Sequence, residues 1–145
     1  MNDSDEPVVR SFLPTPQAHL INDTLETPLV ERVREGLPMA EFRALLELLA
    51  LSEEELGRLL GMSPATLNRR KKGARLTTAE SERVVRFARL FGLAMEVFDH
   101  EKAACEWLKT NNPGTAGERP LSYADTEFGA REVENLLGRI DHGVF

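Results

Sequence analysis

The chain has 145 residues, 41% of them hydrophobic and 29% charged, with a net charge of −6. That composition suits a small globular protein of one or two domains. It contains no apolar run long enough to cross a membrane, the acidic start MNDSDEP does not read as a secretory leader, and the single Cys105 excludes an intrachain disulfide and suits a reducing cytoplasm.

Residues 1–26 read as a flexible arm. Pro7, Pro14 and Pro16 break any helical period, and only Val8–Leu13 has the makings of a short extended piece. From residue 27 the pattern turns helical. Thr27 is a cap, Pro28 a first-position proline, and Leu29, Val30 and Val33 form a stripe that stops at Gly36. Leu37 and Pro38 restart the chain. Phe42, Leu45, Leu46 and Leu49 then recur at spacings of three and four, which predicts an amphipathic helix to about Ala50.

The stretch Leu51–Gly73 predicts two short helices joined by a tight turn. Ser52 and Glu55 have the spacing of a capping box, and Leu56, Leu59 and Leu60 share one face. Gly61 is the expected stop, since a residue without Cβ turns left-handed at little cost. Ser63 is the next cap and Pro64 the first helical residue, while Leu67 points to the core. Gly57, small and mid-helix, is expected to admit the second helix closely. This is the pattern of a helix-turn-helix, whose second helix enters the DNA major groove. Helix pairs of this size also serve as plain core packing.

Thr77 or Thr78 caps a further helix, with Val84, Val85, Ala88, Leu90 and Phe91 as its apolar residues. Gly92 is a candidate break, although Leu93, Met95, Val97 and Phe98 carry the pattern to about Asp99. A second module starts near residue 100. Ala103, Ala104, Trp107 and Leu108 have helical spacing, which makes Trp107 a core residue, and Asn111–Gly114 is a turn cluster. Gly117–Leu121 reads as a loop. A last helix, Gly129–Ile140, carries Val133, Leu136, Leu137 and Ile140 on one face. Spacings of three and four dominate throughout, so the expected fold is all-α: a helix-turn-helix domain over residues 27–99, then a small helical domain over 100–145.

Charge divides the chain. Residues 1–50 carry four cations against nine carboxylates, 51–92 nine against five, and 93–145 five against ten. Within 68–89 there are eight cations against two carboxylates, a basic island in an acidic protein and so a footprint for a polyanion. A solvated helix face is the alternative for the later arginines. The candidate DNA-binding residues are Ser63, Ala65, Thr66 and Asn68 for bases, and Arg69, Arg70, Lys71, Lys72 and Arg75 for phosphates. Reading two half-sites calls for a dimer, and the wide stripe of Phe42–Leu49 is the expected contact.

Catalytic constellations are missing from the sequence. His19, His100, Cys105 and His142 lack metal-ligand spacing, and Cys105 lies inside a helical stretch. No Gly-rich phosphate loop or nucleophile elbow occurs, and Asp125 and Glu127 do not face each other on a helix. The expectation is no enzyme, no cofactor and no bound metal.

One set of residues is more specific. Arg69–Lys72, Leu76, Ala79–Arg83 and Arg86 are followed by Ala104, Trp107, Leu108, Asn112, Pro113, Gly117, Pro120 and Leu121. Then come Thr126, Gly129, Val133, Leu137–Ile140, His142 and Gly143. Over roughly residues 30–145 this resembles the Xre/MbcA/ParS-type antitoxins, partners of RES-domain toxins, although the loop Thr110–Gly117 departs from the family's usual Pro-Asn, leucine and glycine sequence. The resemblance implies an Xre-like helix-turn-helix domain and a toxin-binding domain. It also implies neutralisation of an NAD-degrading toxin and repression of the antitoxin's own promoter. The candidate toxin-binding residues are Asn112, Gly117, Arg139, His142, Gly143, Val144 and Phe145. On this reading a loop and a final helix fill the toxin's active site; Arg139 pairs with a carboxylate or is a surface arginine favoured at a helix C-terminus, and Phe145 is an aromatic anchor or a frayed end. The expected partners are a RES-domain toxin, operator DNA and a second copy of the chain. The alternatives are a plain helix-turn-helix regulator whose C-terminal part dimerises or binds a ligand, and a helical adaptor with no DNA role.

Overall fold

The computed structural model describes residues 8–13, 28–73 and 75–143. Eight α-helices follow one another in these residues: α1 (Leu29–Glu35), α2 (Met39–Leu49), α3 (Glu53–Leu59), α4 (Pro64–Lys71), α5 (Thr78–Phe98), α6 (Glu101–Lys109), α7 (Pro120–Tyr123) and α8 (Glu127–Asp141). Two 3-10 turns, Val8–Phe12 and Pro113–Thr115, complete the described structure, which contains no strand. No described helix is long and apolar enough to cross a membrane.

Local chemistry sets the helix starts. Ser52, Ser63, Thr77 and Thr126 each accept the amide of the residue three positions on, satisfying one of the orphan donors of the first turn. The full capping box is at Thr77, where Glu80 N–H donates to Thr77 Oγ1 (3.1 Å) and the Glu80 carboxylate accepts from Thr77 N–H (2.9 Å). At Ser52 only half of the expected box forms: the Glu55 carboxylate meets the Ser52 hydroxyl at 3.3 Å rather than its amide. Pro120 opens α7 as its first residue instead of lying in a loop, and α8 starts at Glu127, two residues before the expected Gly129.

Helix α5 is the axis of the molecule. Its 21 residues pack against α2, α6, α8 and the N-terminal 3-10 turn. Phe87, Leu90 and Phe91 of α5 are fully buried with Phe42, Leu45 and Leu49 of α2, and with Leu108, Leu121 and Leu137 of α6–α8, in one continuous apolar cluster. The Cys105 thiol on α6 donates to Leu48 O (2.7 Å), and Lys109 Nζ to Ala50 O (3.0 Å). The C-terminal helices are thus built onto the same core as the helix-turn-helix. Trp107 is half-buried and packs on Phe98 with ring centroids 5.8 Å apart.

Two expectations are corrected here. Phe42, Leu45 and Leu49 are spent on this core, which leaves only the half-buried Leu46 of that stripe to meet a second copy. Val8–Leu13 is not an extended piece: Val8–Phe12 is a 3-10 turn with Val8 and Val9 buried. Their amides donate to the buried Glu41 carboxylate at 2.6 and 3.0 Å. Helix α5 runs through Gly92 to Phe98, as the apolar pattern indicated. Gly92 lies where that turn crosses the helix, and a Cβ there would collide with the carbonyl oxygen of Phe12.

Candidate functional site

The helix-turn-helix is held from behind by buried side chains. Leu67 of α4 is buried with Leu56, Leu60 and Met62. Gly61 takes the left-handed conformation (φ +82°) that ends the first helix, and Arg83 of α5 donates to the Leu60 carbonyl beside it (2.8 Å). A Cβ at Gly61 would collide with that guanidinium. At Gly57, by contrast, a Cβ would make ordinary contact with Leu67 (3.5 Å), so the close approach expected there is not needed.

The outer face of α4 exposes Ser63, Ala65, Asn68, Arg69, Lys71 and Lys72, with Thr66 half-buried. Ser63 Oγ accepts Thr66 N–H (3.1 Å) and lies 3.0 Å from Thr66 Oγ1, which also accepts from Arg69 Nη2 (3.3 Å). Ser63, Thr66 and Arg69 therefore share one small polar network at the start of the helix.

Most of the basic island is engaged by the chain's own carboxylates and carbonyls. Arg70 makes a two-point pair with Glu80 (2.9 and 3.2 Å), with side-chain exposures of only 16% and 9%. Arg75 donates to Gly36 O (2.8 Å), and Arg83 is engaged as described. Arg86 donates to Glu127 (2.9 Å) and to the carbonyls of Asp125 (3.0 Å) and Ala124 (3.4 Å), while Arg89 pairs with Glu134 and Glu127. Lys71 holds an exposed pair with Glu53 (2.8 Å), of the kind that contributes little. Among the described residues, only Arg69 and Lys72 of the eight cations in 68–89 enter neither an ion pair nor a bond to a backbone carbonyl. Burial acts to raise the Glu80 pKa, but the Arg70 guanidinium and the Thr77 cap outweigh it and leave the carboxyl below its ordinary value. Glu80 is therefore ionised at neutral pH and keeps Arg70 occupied.

In the C-terminal half, Asn112 is a loop staple. Its Oδ1 accepts Gly114 N–H (2.8 Å), its carbonyl accepts Gly117 N–H (2.9 Å) and its amide donates to Glu118 O (3.0 Å). Gly117 is an exposed turn residue at φ +82°. The loop leans on α8 through Leu136, which a Cβ at Gly114 would strike. Arg139, His142 and Gly143 lie together at the exposed C-terminal end of α8, where His142 Nδ1 lies 2.8 Å from Gly138 O. Val144 and Phe145 lie outside the described residues.

The opposite end of α8 holds a residue that sequence reasoning missed. Phe128 is 83% exposed. It stands five residues before Val133, about 140° around the helix from the buried stripe, and that offset was the available signal. Its neighbours are fixed. Glu127 is held by Arg86 and Arg89, and the Arg86 bond is the main cause of its lowered pKa. Gly129 is pressed against α7 so closely that a Cβ would collide with the carbonyl oxygen of Tyr123.

Burial pushes the Cys105 thiol pKa up, which suits its use as a hydrogen-bond donor rather than a nucleophile. Among the described residues, no three His, Cys, Asp or Glu side chains converge as a metal site.

Comparison with known proteins adds two family matches. Residues 28–89 match the antitoxin Xre-like helix-turn-helix domain, and residues 93–143 match the antitoxin Xre/MbcA/ParS C-terminal toxin-binding domain. The chain is 34% identical over 121 residues to a protein named antitoxin Xre from Yersinia enterocolitica, covering 82% of each chain. It is 33% identical over 114 residues to another of that name from Photorhabdus laumondii, covering 77% of each.

Proposed function

Because this chain belongs to the Xre antitoxin family, we propose that it neutralises a RES-type, NAD-degrading toxin and represses its own promoter. The observation that carries this reading is the attachment of both matched domains to one helix, α5, which supports a molecule with a DNA face and a toxin face. On the DNA side, Ser63, Ala65, Thr66 and Asn68 read base edges, while Arg69, Lys71 and Lys72 grip phosphates. Arg70 and Arg75 act indirectly, by holding α4 and the α1–α5 junction in place. On the toxin side, Arg139, His142 and Gly143 enter or cover the active site together with Val144 and Phe145, and Asn112 and Gly117 shape the supporting loop. Two copies bind two operator half-sites within a larger toxin–antitoxin complex.

The test is co-expression with the reading frame beside this gene, with growth and cellular NAD followed together. The full chain is expected to restore both. A chain ending at Phe128 is expected to restore neither, and protection by that truncated chain would remove α8 from the toxin site.

A further inference from the structure

We propose that the corner between α7 and α8, centred on Phe128, is the face on which the toxin docks, and that the toxin meets it with an apolar pocket rimmed by cationic side chains. This deepens the antitoxin reading and rests on it.

Phe128 is the most exposed large apolar side chain among the described residues, at 83%. It borders an open concavity of about 430 Å³ that Glu118, Tyr123, Asp125, Arg131 and Glu132 also line. A single exposed aromatic is common on protein surfaces, but an aromatic beside a concavity is the geometry of an interface anchor. The backbone beneath it is already fixed. Gly129 abuts the Tyr123 carbonyl, Thr126 caps the helix, and Glu127 is tied to α5 by Arg86 and Arg89. Association therefore orders little beyond one ring with two torsions, so most of the buried area counts toward affinity.

The rim selects the occupant. Three carboxylates, Glu118, Asp125 and Glu132, face one guanidinium, Arg131. That balance repels nucleic acid. It also opposes a second copy, since a two-fold contact would set the same acidic rim against itself. A partner with the opposite rim remains, and this surface lies within residues 93–143, which match a toxin-binding domain. The corner is at the far end of α8 from Arg139 and His142, so a toxin seated on both would span the helix, about 20 Å along its axis at 1.5 Å per residue.

The experiment measures binding of the full chain to an immobilised, inactivated form of the toxin encoded beside this gene. Own-promoter binding and sedimentation of the free chain are followed alongside. Phe128→Ala is expected to weaken toxin binding roughly 10- to 100-fold, and Phe128→Trp to stay within about threefold of the parent. Glu132→Arg is expected to weaken binding and flatten its dependence on salt. All three variants should bind promoter DNA like the parent, which shows that they fold. If the parent binds toxin and Phe128→Ala binds within twofold of it, the docking face is wrong while the antitoxin reading stands. If the parent does not bind toxin at all, both fail together. If Phe128→Ala converts a dimer to a monomer, the corner is a contact between copies and the proposal is overturned.

Discussion

Arg69 and Arg70 are adjacent, carry the same charge and sit on the same short helix, yet the fold gives them different work. Arg70 is clamped on Glu80, and Arg69 reaches only the Thr66 hydroxyl. Replacing Arg69 and Lys72 together by alanine should lower the salt dependence of promoter binding. The slope of log K against log salt should fall by roughly 0.9 for each phosphate that is no longer neutralised, with little change in stability. Arg70→Ala should do the reverse, costing about 2 kcal/mol of stability by removing a charged two-point pair while leaving the slope near its parent value. Salt titrations and chemical unfolding of the same three proteins separate the outcomes. The carboxylate partner supplies a pH signature. Because the folded pKa of Glu80 lies below its ordinary 4.5, its contribution is present above that pH and is lost as pH falls from 4.5 through the lowered folded value. Glu80→Gln should flatten the stability profile in that window, as read by unfolding free energy against pH.

Among the elements, the N-terminal 3-10 turn has the narrowest margin. Burying Val8 and Val9 contributes about 3 kcal/mol, and the two bonds to Glu41 add to it. Ordering the segment opposes this by about 1–2 kcal/mol per residue, so its net docking energy is small. Gly92 decides whether it docks. Gly92→Ala puts a methyl where the Phe12 carbonyl lies, while gaining about 1 kcal/mol of helix propensity. The expected result is release of the segment with a change in global stability below about 2 kcal/mol. Hydrogen exchange should show it directly, as reduced protection at the Val8 and Val9 amides with the α5 amides unchanged. Continued protection there would mean that the turn accommodates the methyl.

Across the whole molecule, the join between the two matched domains falls inside α5: one match ends at residue 89 and the other starts at 93, within Thr78–Phe98. The two halves cannot be pulled apart there without cutting a buried helix. Arg86 fastens them. It is almost fully buried and satisfies two carbonyls at the α7–α8 corner as well as Glu127. Arg86→Ala leaves those carbonyls without their donor and should cost about 3 kcal/mol, or roughly 10 °C in Tm for a chain of this size. Calorimetry should show one shifted transition, and promoter and toxin binding should weaken together on warming. Two separate transitions in the parent protein would contradict the shared core.

The sequence by itself determined what is settled within about four residues. Ser63 with Pro64, and Gly61, mark helix ends because a cap needs only its own turn of backbone, and the apolar spacings placed the helices between them. The ordered residues from Trp107 to Gly143 also carried the family, since their spacing is specific without any knowledge of contacts. Only the tertiary structure decided which arginines are free. Arg70, Arg75, Arg83, Arg86 and Arg89 look like surface cations in a string, but their partners lie 10 to 45 residues away, and pairing at that distance depends on how the helices cross. The docking of Val8 and Val9 rests on Glu41 for the same reason. Phe128 became notable only when the opposite side of α8 proved to be the buried one. A helix's period fixes which residues share a face, and packing fixes which face meets water.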